Sequence, residues 1–142
     1  MKVLIAIDGS EPALHAVNYV GKLLGLMPLT PSFITLLSVH DDSGLRHAKA
    51  FVGQTTVADY LQELSEKELE PARKLVETFG IQHDTAMRTG HVAQEIVDCA
   101  NEGEYDLVVL GAKGRSALAD MLIGSVAQRV LATAKAPVLL VK

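Results

Sequence analysis

The sequence predicts an α/β fold in which a doubly wound, five-stranded parallel sheet carries helices on both faces. Five short, β-prone apolar runs alternate with segments whose apolar residues recur at helical spacing. Such alternation is typical of parallel strands joined by right-handed helical crossovers. The 142 residues are enough for one core, and no repeat or linker interrupts them, so we expect a single domain over 1–142.

The polarity of the five runs predicts their order in the sheet. The first run, Val3 to Ile7, and the fourth, Asp106 to Leu110, are strongly apolar, as expected at the centre of a parallel sheet. The third, Ile81 to Arg88, is polar and fits an edge. With Phe33 to Val39 as the second strand and Pro137 to Val141 as the fifth, the favoured order is 3-2-1-4-5.

Four helices are predicted between these strands. The first begins at the N-cap Ser10 and stops near Gly25, and the second spans Thr56 to Phe79, where Pro71 should kink it. A polar stretch from His40 to Gln54 has no clear period and is predicted as a surface excursion. The third helix is predicted to open at Gly90 and the fourth at Gly124. Predicted inward-facing residues include Leu14, Val17, Tyr19, Val20 and Leu24 in the first helix, and Val126, Val130 and Leu131 in the last.

Charge and composition exclude several classes of function. Seventeen acidic residues against thirteen lysines and arginines give a net charge of −4, which disfavours nucleic acid as a partner. The single cysteine, Cys99, permits no intramolecular disulfide and fits a reducing compartment. The N-terminal apolar run ends at Asp8, too early for a signal peptide, and no run approaches the roughly 18 apolar residues of a membrane span. We therefore expect a cytoplasmic protein with no membrane partner.

The predicted strand order places a ligand crevice at one edge of the sheet. Winding reverses between strands 1 and 4, and open α/β sheets bind ligands at the carboxyl ends of strands where this happens. Asp8 ends strand 1 and Gly111 follows strand 4, so these two positions should face each other. Aspartate before Gly-Ser is also a common turn former, and this plainer explanation of Asp8 stays open.

A glycine-rich segment after strand 4 has the features of a phosphate-binding loop. It runs from Gly111 to Ser116, and Gly124-Ser125 opens the following helix. Exposed N–H groups in such a turn, together with a helix start, form an anion site, to which Lys113 and Arg115 add positive charge. The spacing fits neither a Walker A loop nor a dinucleotide fingerprint. Glycines needed only for a strand-to-helix turn remain an alternative.

At this point the residues resemble a known family. Gly111-x2-Gly114-x9-Gly124-Ser125 matches the Gly-x2-Gly-x9-Gly-Ser/Thr pattern of ATP-binding universal stress proteins. The opening VLIAIDGSEPA and the ending GSVAQRVLATAKAPVLLVK are similar to the first and last elements of that family. The resemblance covers essentially the whole chain, and implies ATP, or AMP or ADP, as ligand.

The resemblance also implies a role for each matching position. Asp8 would contact the adenosine, the backbone of Val39 would bond the adenine edge, and a divalent cation such as Mg²⁺ would bind only through the phosphates. Family members commonly dimerise through the last strand, here Val138 to Val141. The expected nucleotide-binding residues are Ala6, Ile7, Asp8, Val39, Leu110, Gly111, Lys113, Gly114, Arg115, Gly124, Ser125 and Val126.

Three functions follow as hypotheses. The leading one is a nucleotide-dependent regulatory or stress-response protein with little or no turnover, because the phosphate cradle is accompanied by no evident general base or water-activating residue. The histidines and carboxylates show no spacing typical of a metal site. A slow ATPase or phosphotransferase in the same pocket is the first alternative. A dimeric interaction domain without nucleotide is the second. His40 follows strand 2 near the expected adenine and is a candidate ligand contact, whereas His15, His47, His83 and His91 fit surface positions.

Overall fold

A parallel sheet of five strands forms the centre of the molecule. The computed structural model describes residues 1–45, 50–115, 120 and 122–142, so His47 and Ser116 lie outside the described residues. All strand pairs are parallel, in the order β3-β2-β1-β4-β5. This confirms the predicted fold class and strand order. The strands are β1 (Lys2–Ile7), β2 (Phe33–His40), β3 (Gln82–Thr89), β4 (Leu107–Gly111) and β5 (Val138–Val141).

Helices cover both faces of this sheet. Ser10 is the N-cap of the first helix as predicted, with its side chain accepting from the backbone N–H of Ala13. A short 3₁₀ helix, Ser43–Leu45, lies in the stretch predicted as an excursion without regular structure. The α-helices whose bounds lie within the described residues are α1 (Glu11–Gly25), α2 (Gln54–Thr78), α3 (Val92–Glu102) and α4 (Ser125–Thr133).

One predicted helix start is corrected by local hydrogen bonding. Pro71 lies inside helix α2, at an exposed position where water can reach the carbonyl that the proline leaves without its helical donor, and the kink expected there stays a prediction. Helix α3 starts at Val92 rather than Gly90, because the N–H of Gly90 donates to the carbonyl of His40 (3.0 Å) and extends the pairing of β2 with β3.

Two hydrophobic layers sandwich the sheet. One lies between the sheet and helices α1 and α2, and the other lies under α3 and α4. The central strand β1 supplies both layers, with Val3 and Ile5 on the first and Leu4 on the second, all fully buried. Tyr19 and Leu131, expected to face inward, are 50% and 52% exposed. Their neighbours Val20 and Val130 take the buried positions, and helical geometry turns the adjacent residue about 100° away.

The two edges of the sheet differ in polarity. Strand β3 consists only of exposed and half-buried residues, which is consistent with its polar sequence. Strand β5 is apolar, and its four residues are only half-buried in the isolated chain. An apolar edge of this kind is a favourable surface for strand pairing.

Candidate functional site

A cavity of about 380 Å³ opens at the carboxyl ends of β1, β2 and β4. It lies at the point where the winding direction of the sheet reverses between β1 and β4. Every residue that the sequence predicted for nucleotide binding lines this cavity: Ala6, Ile7, Asp8, Val39, Leu110, Gly111, Lys113, Gly114, Arg115, Gly124, Ser125 and Val126. The structure thus brings together segments that are more than a hundred residues apart in the chain.

Asp8 joins the end of β1 to the glycine loop. One carboxylate oxygen accepts from the backbone N–H of Ser10 (2.9 Å) and from its hydroxyl. The other accepts from the backbone N–H of Arg115 at 3.1 Å. Asp8 is therefore both a turn former, as one alternative proposed, and a direct link between the two sides of the cavity.

Two glycines of the loop are required by close contacts. A Cβ atom added at Gly111 would lie 2.8 Å from the carbonyl carbon of Pro12 in α1, so β4 can pass the start of that helix only without a side chain. A Cβ atom at Gly114 would lie 2.9 Å from the Asp8 carboxylate, on an otherwise exposed turn. The contact at Gly111 therefore restricts the packing of β4 against α1, whereas the contact at Gly114 restricts the wall of the cavity.

Helix α4 begins at the wall of the cavity. Its N-cap is Gly124, which offers no side-chain cap, and the N–H of Gly124 itself donates to the carbonyl of Ala112 at 2.7 Å. The first N–H groups of a helix have no partner within the helix. Those of Ser125, Val126 and Ala127, together with the Ser125 hydroxyl, belong to residues lining the cavity. This end of the cavity can receive an anion.

The side of the cavity toward α3 is apolar. Leu37, Val39 and Leu110 from the sheet and Val92 and Ile96 from α3 line it. A flat, largely apolar group such as a heterocyclic base fits a wall of this composition. One cavity thus combines an apolar side with an anion-receiving side.

A buried carboxylate in the cavity was not found from the sequence. Glu68 of α2 is only 5% exposed and contacts Arg115, His40 and Ser38. The signal was present, because Glu68 occupies a core-facing position between Leu61 and Ala72, where an acidic residue is unexpected. His40, the candidate ligand contact, also lines the cavity. Other lining residues that the sequence did not identify as site residues are Ser10, Ala13, Leu37, Val92, Ile96 and Ala127.

Of the candidate reactive groups, Cys99 lies away from this cavity and His40 lines it. Cys99 is buried in α3, and this burial raises the pKa of its thiol, so the sulfur stays neutral at neutral pH, as expected for a structural thiol. His40 is the one described histidine that lines the cavity, where its Nε2 atom lies 2.9 Å from the Glu68 carboxylate. Over residues 1–45, 50–115, 120 and 122–142, no three His, Cys, Asp or Glu side chains gather as metal ligands.

Comparison with known proteins assigns the chain to a family. A sequence model of the universal stress protein family matches residues 1–142. The chain belongs to the universal stress protein family. Universal stress protein MJ0531 of Methanocaldococcus jannaschii is 31% identical over 141 residues, which cover 99% of this chain and 81% of that protein. Within its described residues, this universal stress protein has no helix both long and apolar enough to cross a membrane.

Solved structures share the fold of this universal stress protein. Protein MJ0577, solved to assign its biochemical function from structure, has a TM-score of 0.86 at 28% identity, covering 99% of this chain and 94% of that one. A family member from Arabidopsis thaliana with AMP bound has a TM-score of 0.70 at 16% identity, covering 100% and 91%. Two further structures with this fold hold cAMP and dAMP.

Proposed function

We propose that this universal stress protein binds an adenine nucleotide, foremost ATP with ADP or AMP as alternatives, and acts as a nucleotide-dependent regulatory protein of the stress response. The observation that carries this proposal is the pairing of an apolar wall with an uncapped helix start in one cavity. Its volume lies within the roughly 300–1,000 Å³ of small-molecule sites. The family members that hold AMP, dAMP and cAMP support the adenine nucleotide as ligand class.

The adenosine would occupy the side of the cavity formed by the sheet and α3. The base would lie between Val39 and Ile96, with the backbone of Val39 at its polar edge, while Asp8 would accept hydrogen bonds from ribose hydroxyls. Ala6, Ile7 and Leu110 would form the floor. Apolar contact supplies affinity here, and the few polar groups fix the orientation of the ligand.

The phosphates would lie on the side formed by the glycine loop. Backbone N–H groups at Gly114 and at the start of α4 would donate to phosphate oxygens, and the Ser125 hydroxyl would add one donor. Lys113 and Arg115 would supply positive charge. A Mg²⁺ ion would enter with a di- or triphosphate and bind through its oxygens.

Little or no turnover is proposed because the acids that line the cavity are already engaged. Asp8 accepts from Ser10 and from the Arg115 backbone. Glu68 shares its two oxygens among Arg115, His40 and Ser38. A general base must reach the proton that it removes. Glu68 is committed to protein donors, and Asp8 would be committed to protein donors and to the ribose hydroxyls.

We place the protein in the cytoplasm, a reducing compartment compatible with the buried thiol of Cys99.

Nucleotide binding can be measured by titration calorimetry on protein stripped of ligand by unfolding and refolding. We expect ATP and AMP to bind at one site per chain, and GTP more weakly, because the exocyclic groups of guanine differ at the edge facing Val39. Added Mg²⁺ should alter the affinity for ATP more than that for AMP. Absence of heat with every adenine nucleotide and with adenosine would contradict the proposal and favour an interaction domain without nucleotide.

We also propose a homodimer formed through Val138–Val141. Within the described sheet this strand pairs with β4 on one side. The N–H of Val108 donates to the carbonyl of Pro137, and that of Ala112 donates to Val141. Alternate residues therefore face β4, and Leu140 directs its N–H toward the outer edge. A second copy of the strand related by a two-fold axis can pair with that edge.

Sedimentation velocity tests the dimer with two matched variants. Leu140→Ala and Leu140→Pro both remove the leucine side chain, and the proline alone removes the outward N–H. We expect the wild type and Leu140→Ala to sediment mainly as dimers and Leu140→Pro as a monomer that retains its helical circular dichroism. A monomeric wild type at about 50 μM, a concentration at which ordinary dimer interfaces associate, would overturn this proposal.

A further inference from the structure

Arg115, one of the two predicted phosphate-binding cations, is already engaged by a buried acid. Its Nη2 atom forms an ion pair with Oε1 of Glu68. The arginine side chain is 57% exposed, whereas that of Glu68 is only 4% exposed. The arginine can reach this carboxylate because Gly9 leaves room: a Cβ atom there would lie 2.5 Å from Nη2 and 3.0 Å from Cγ of Glu68.

Glu68 is held in place by other groups as well. Its Oε2 atom lies 2.9 Å from Nε2 of His40 and 3.5 Å from the hydroxyl of Ser38, which in turn donates to Ser65 at 3.0 Å. These serines are buried and Glu68 projects from the core-facing side of α2. The acid is therefore fixed by its surroundings, while the exposed arginine is the partner that can change position.

Among the described residues that line the cavity, acidic and basic side chains are equal in number. Asp8 and Glu68 are its acidic lining residues, and Lys113 and Arg115 are its basic ones. A phosphate chain therefore approaches Arg115 while that side chain is already paired with Glu68, and the carboxylate of Asp8 also lines the cavity. Each additional negative charge on the ligand must compete with Glu68 for Arg115 and is repelled by the buried carboxylate, which solvent screens poorly.

We propose that Glu68 is a specificity-determining residue that sets how much phosphate charge the cavity accepts, by lowering its preference for ATP over adenine nucleotides of lower charge. This inference rests on the proposed nucleotide site and names what selects among its ligands. If Glu68 acts in this way, the unfavourable contribution that it makes to the binding free energy increases from adenosine to AMP to ATP. The same carboxylate would thereby lower the advantage that the glycine loop gives to a triphosphate.

Titration calorimetry with adenosine, AMP and ATP tests this selection on Glu68→Gln. Glutamine keeps the length of the side chain, can accept from Arg115 and can donate to His40, so its buried amide stays paired. We expect ATP to bind about tenfold more tightly, since a charge-assisted hydrogen bond to phosphate becomes available. AMP should gain only about threefold, and adenosine should not change.

Two further variants test whether the change in affinity comes from the charge at Glu68 and acts through Arg115. Glu66→Gln removes the same charge from an exposed position on α2, where Glu66 accepts from Gln62, and should change no affinity by more than about twofold. Adding Arg115→Ala to Glu68→Gln should abolish most of the gain for ATP. If Glu68→Gln proves unstable by thermal melting, Glu68→Met supplies a neutral side chain of similar volume with the same expected ranking.

The outcomes separate this inference from the proposed function. Equal changes for the three ligands, or weaker binding of ATP to Glu68→Gln, would overturn the role of Glu68 while leaving the nucleotide site intact. Failure of the wild type to bind adenosine, AMP and ATP would instead reject the proposed site itself. A gain that increases with phosphate number and disappears without Arg115 supports the inference.

Discussion

Replacing Gly114 by valine should weaken nucleotide binding by about a hundredfold while leaving the fold intact. A side chain at this position would press on the Asp8 carboxylate, since even a Cβ atom would lie 2.9 Å from it. The hydrogen bond from the Arg115 backbone to Asp8 would be lost, and the loop N–H groups would move away from the phosphates. Loss of one or two charge-assisted hydrogen bonds corresponds to this factor.

A matched control separates this effect from general damage. Gly25→Val introduces the same side chain at the end of α1, where an added Cβ atom meets nothing within 4 Å. Calorimetry should give wild-type affinity for Gly25→Val, and thermal melting should place both variants within a few degrees of the wild type. Unchanged affinity in Gly114→Val would mean that the loop does not hold the phosphates.

Replacing Gly111 by alanine should instead destabilise the native state, by about 2 kcal/mol. The new methyl group would lie 2.8 Å from the backbone of Pro12 and 3.0 Å from its carbonyl oxygen. Backbone at the start of α1 cannot rotate away as a flexible side chain could, so either β4 or the helix must shift. Overpacking of this kind typically costs about 1–3 kcal/mol.

Urea unfolding of the apoprotein measures this cost. Gly44→Ala is the matched control, because its added Cβ atom meets nothing within 4 Å and the residue lies in the short 3₁₀ helix. We expect a lower midpoint for Gly111→Ala with an unchanged slope, and a midpoint near the wild type for Gly44→Ala. Equal midpoints for the two variants would show that α1 yields to the methyl group without measurable strain.

The facing positions of Asp8 and the glycine loop followed from pattern and topology together, whereas Ala6, Ile7, Val39, Leu110 and Val126 followed from the resemblance to the family. Uniformly apolar β1 and β4 indicated a central location, and the reversal of winding between them then brought Asp8 next to the glycine loop. The contacts between side chains in the cavity could be identified only from the structure. Glu68 is separated from Arg115 by 47 residues, and no local period in the sequence relates an acid on α2 to a loop after β4.

The errors in local structure have separate physical causes. Gly90 extends the sheet through its bond to His40, so a tertiary contact outweighed the local preference for a helix start. Tyr19 lies one residue away from the buried face, because one step along a helix turns a side chain by about 100°. Helix or strand propensity describes an isolated segment, whereas the final bounds of a helix or strand also depend on the residues that pack beside it.

The hydrogen bond between Asp8 and Arg115 spans 107 positions of the chain. A molecule held by both segments can bind only after the two ends of the polypeptide have come together in the folded sheet. By mass action such a ligand raises the free energy of unfolding, by about 2.7 kcal/mol when its concentration is a hundred times its dissociation constant. The lifetime of this protein in the cell would then rise and fall with its ligand supply, with no catalytic step required.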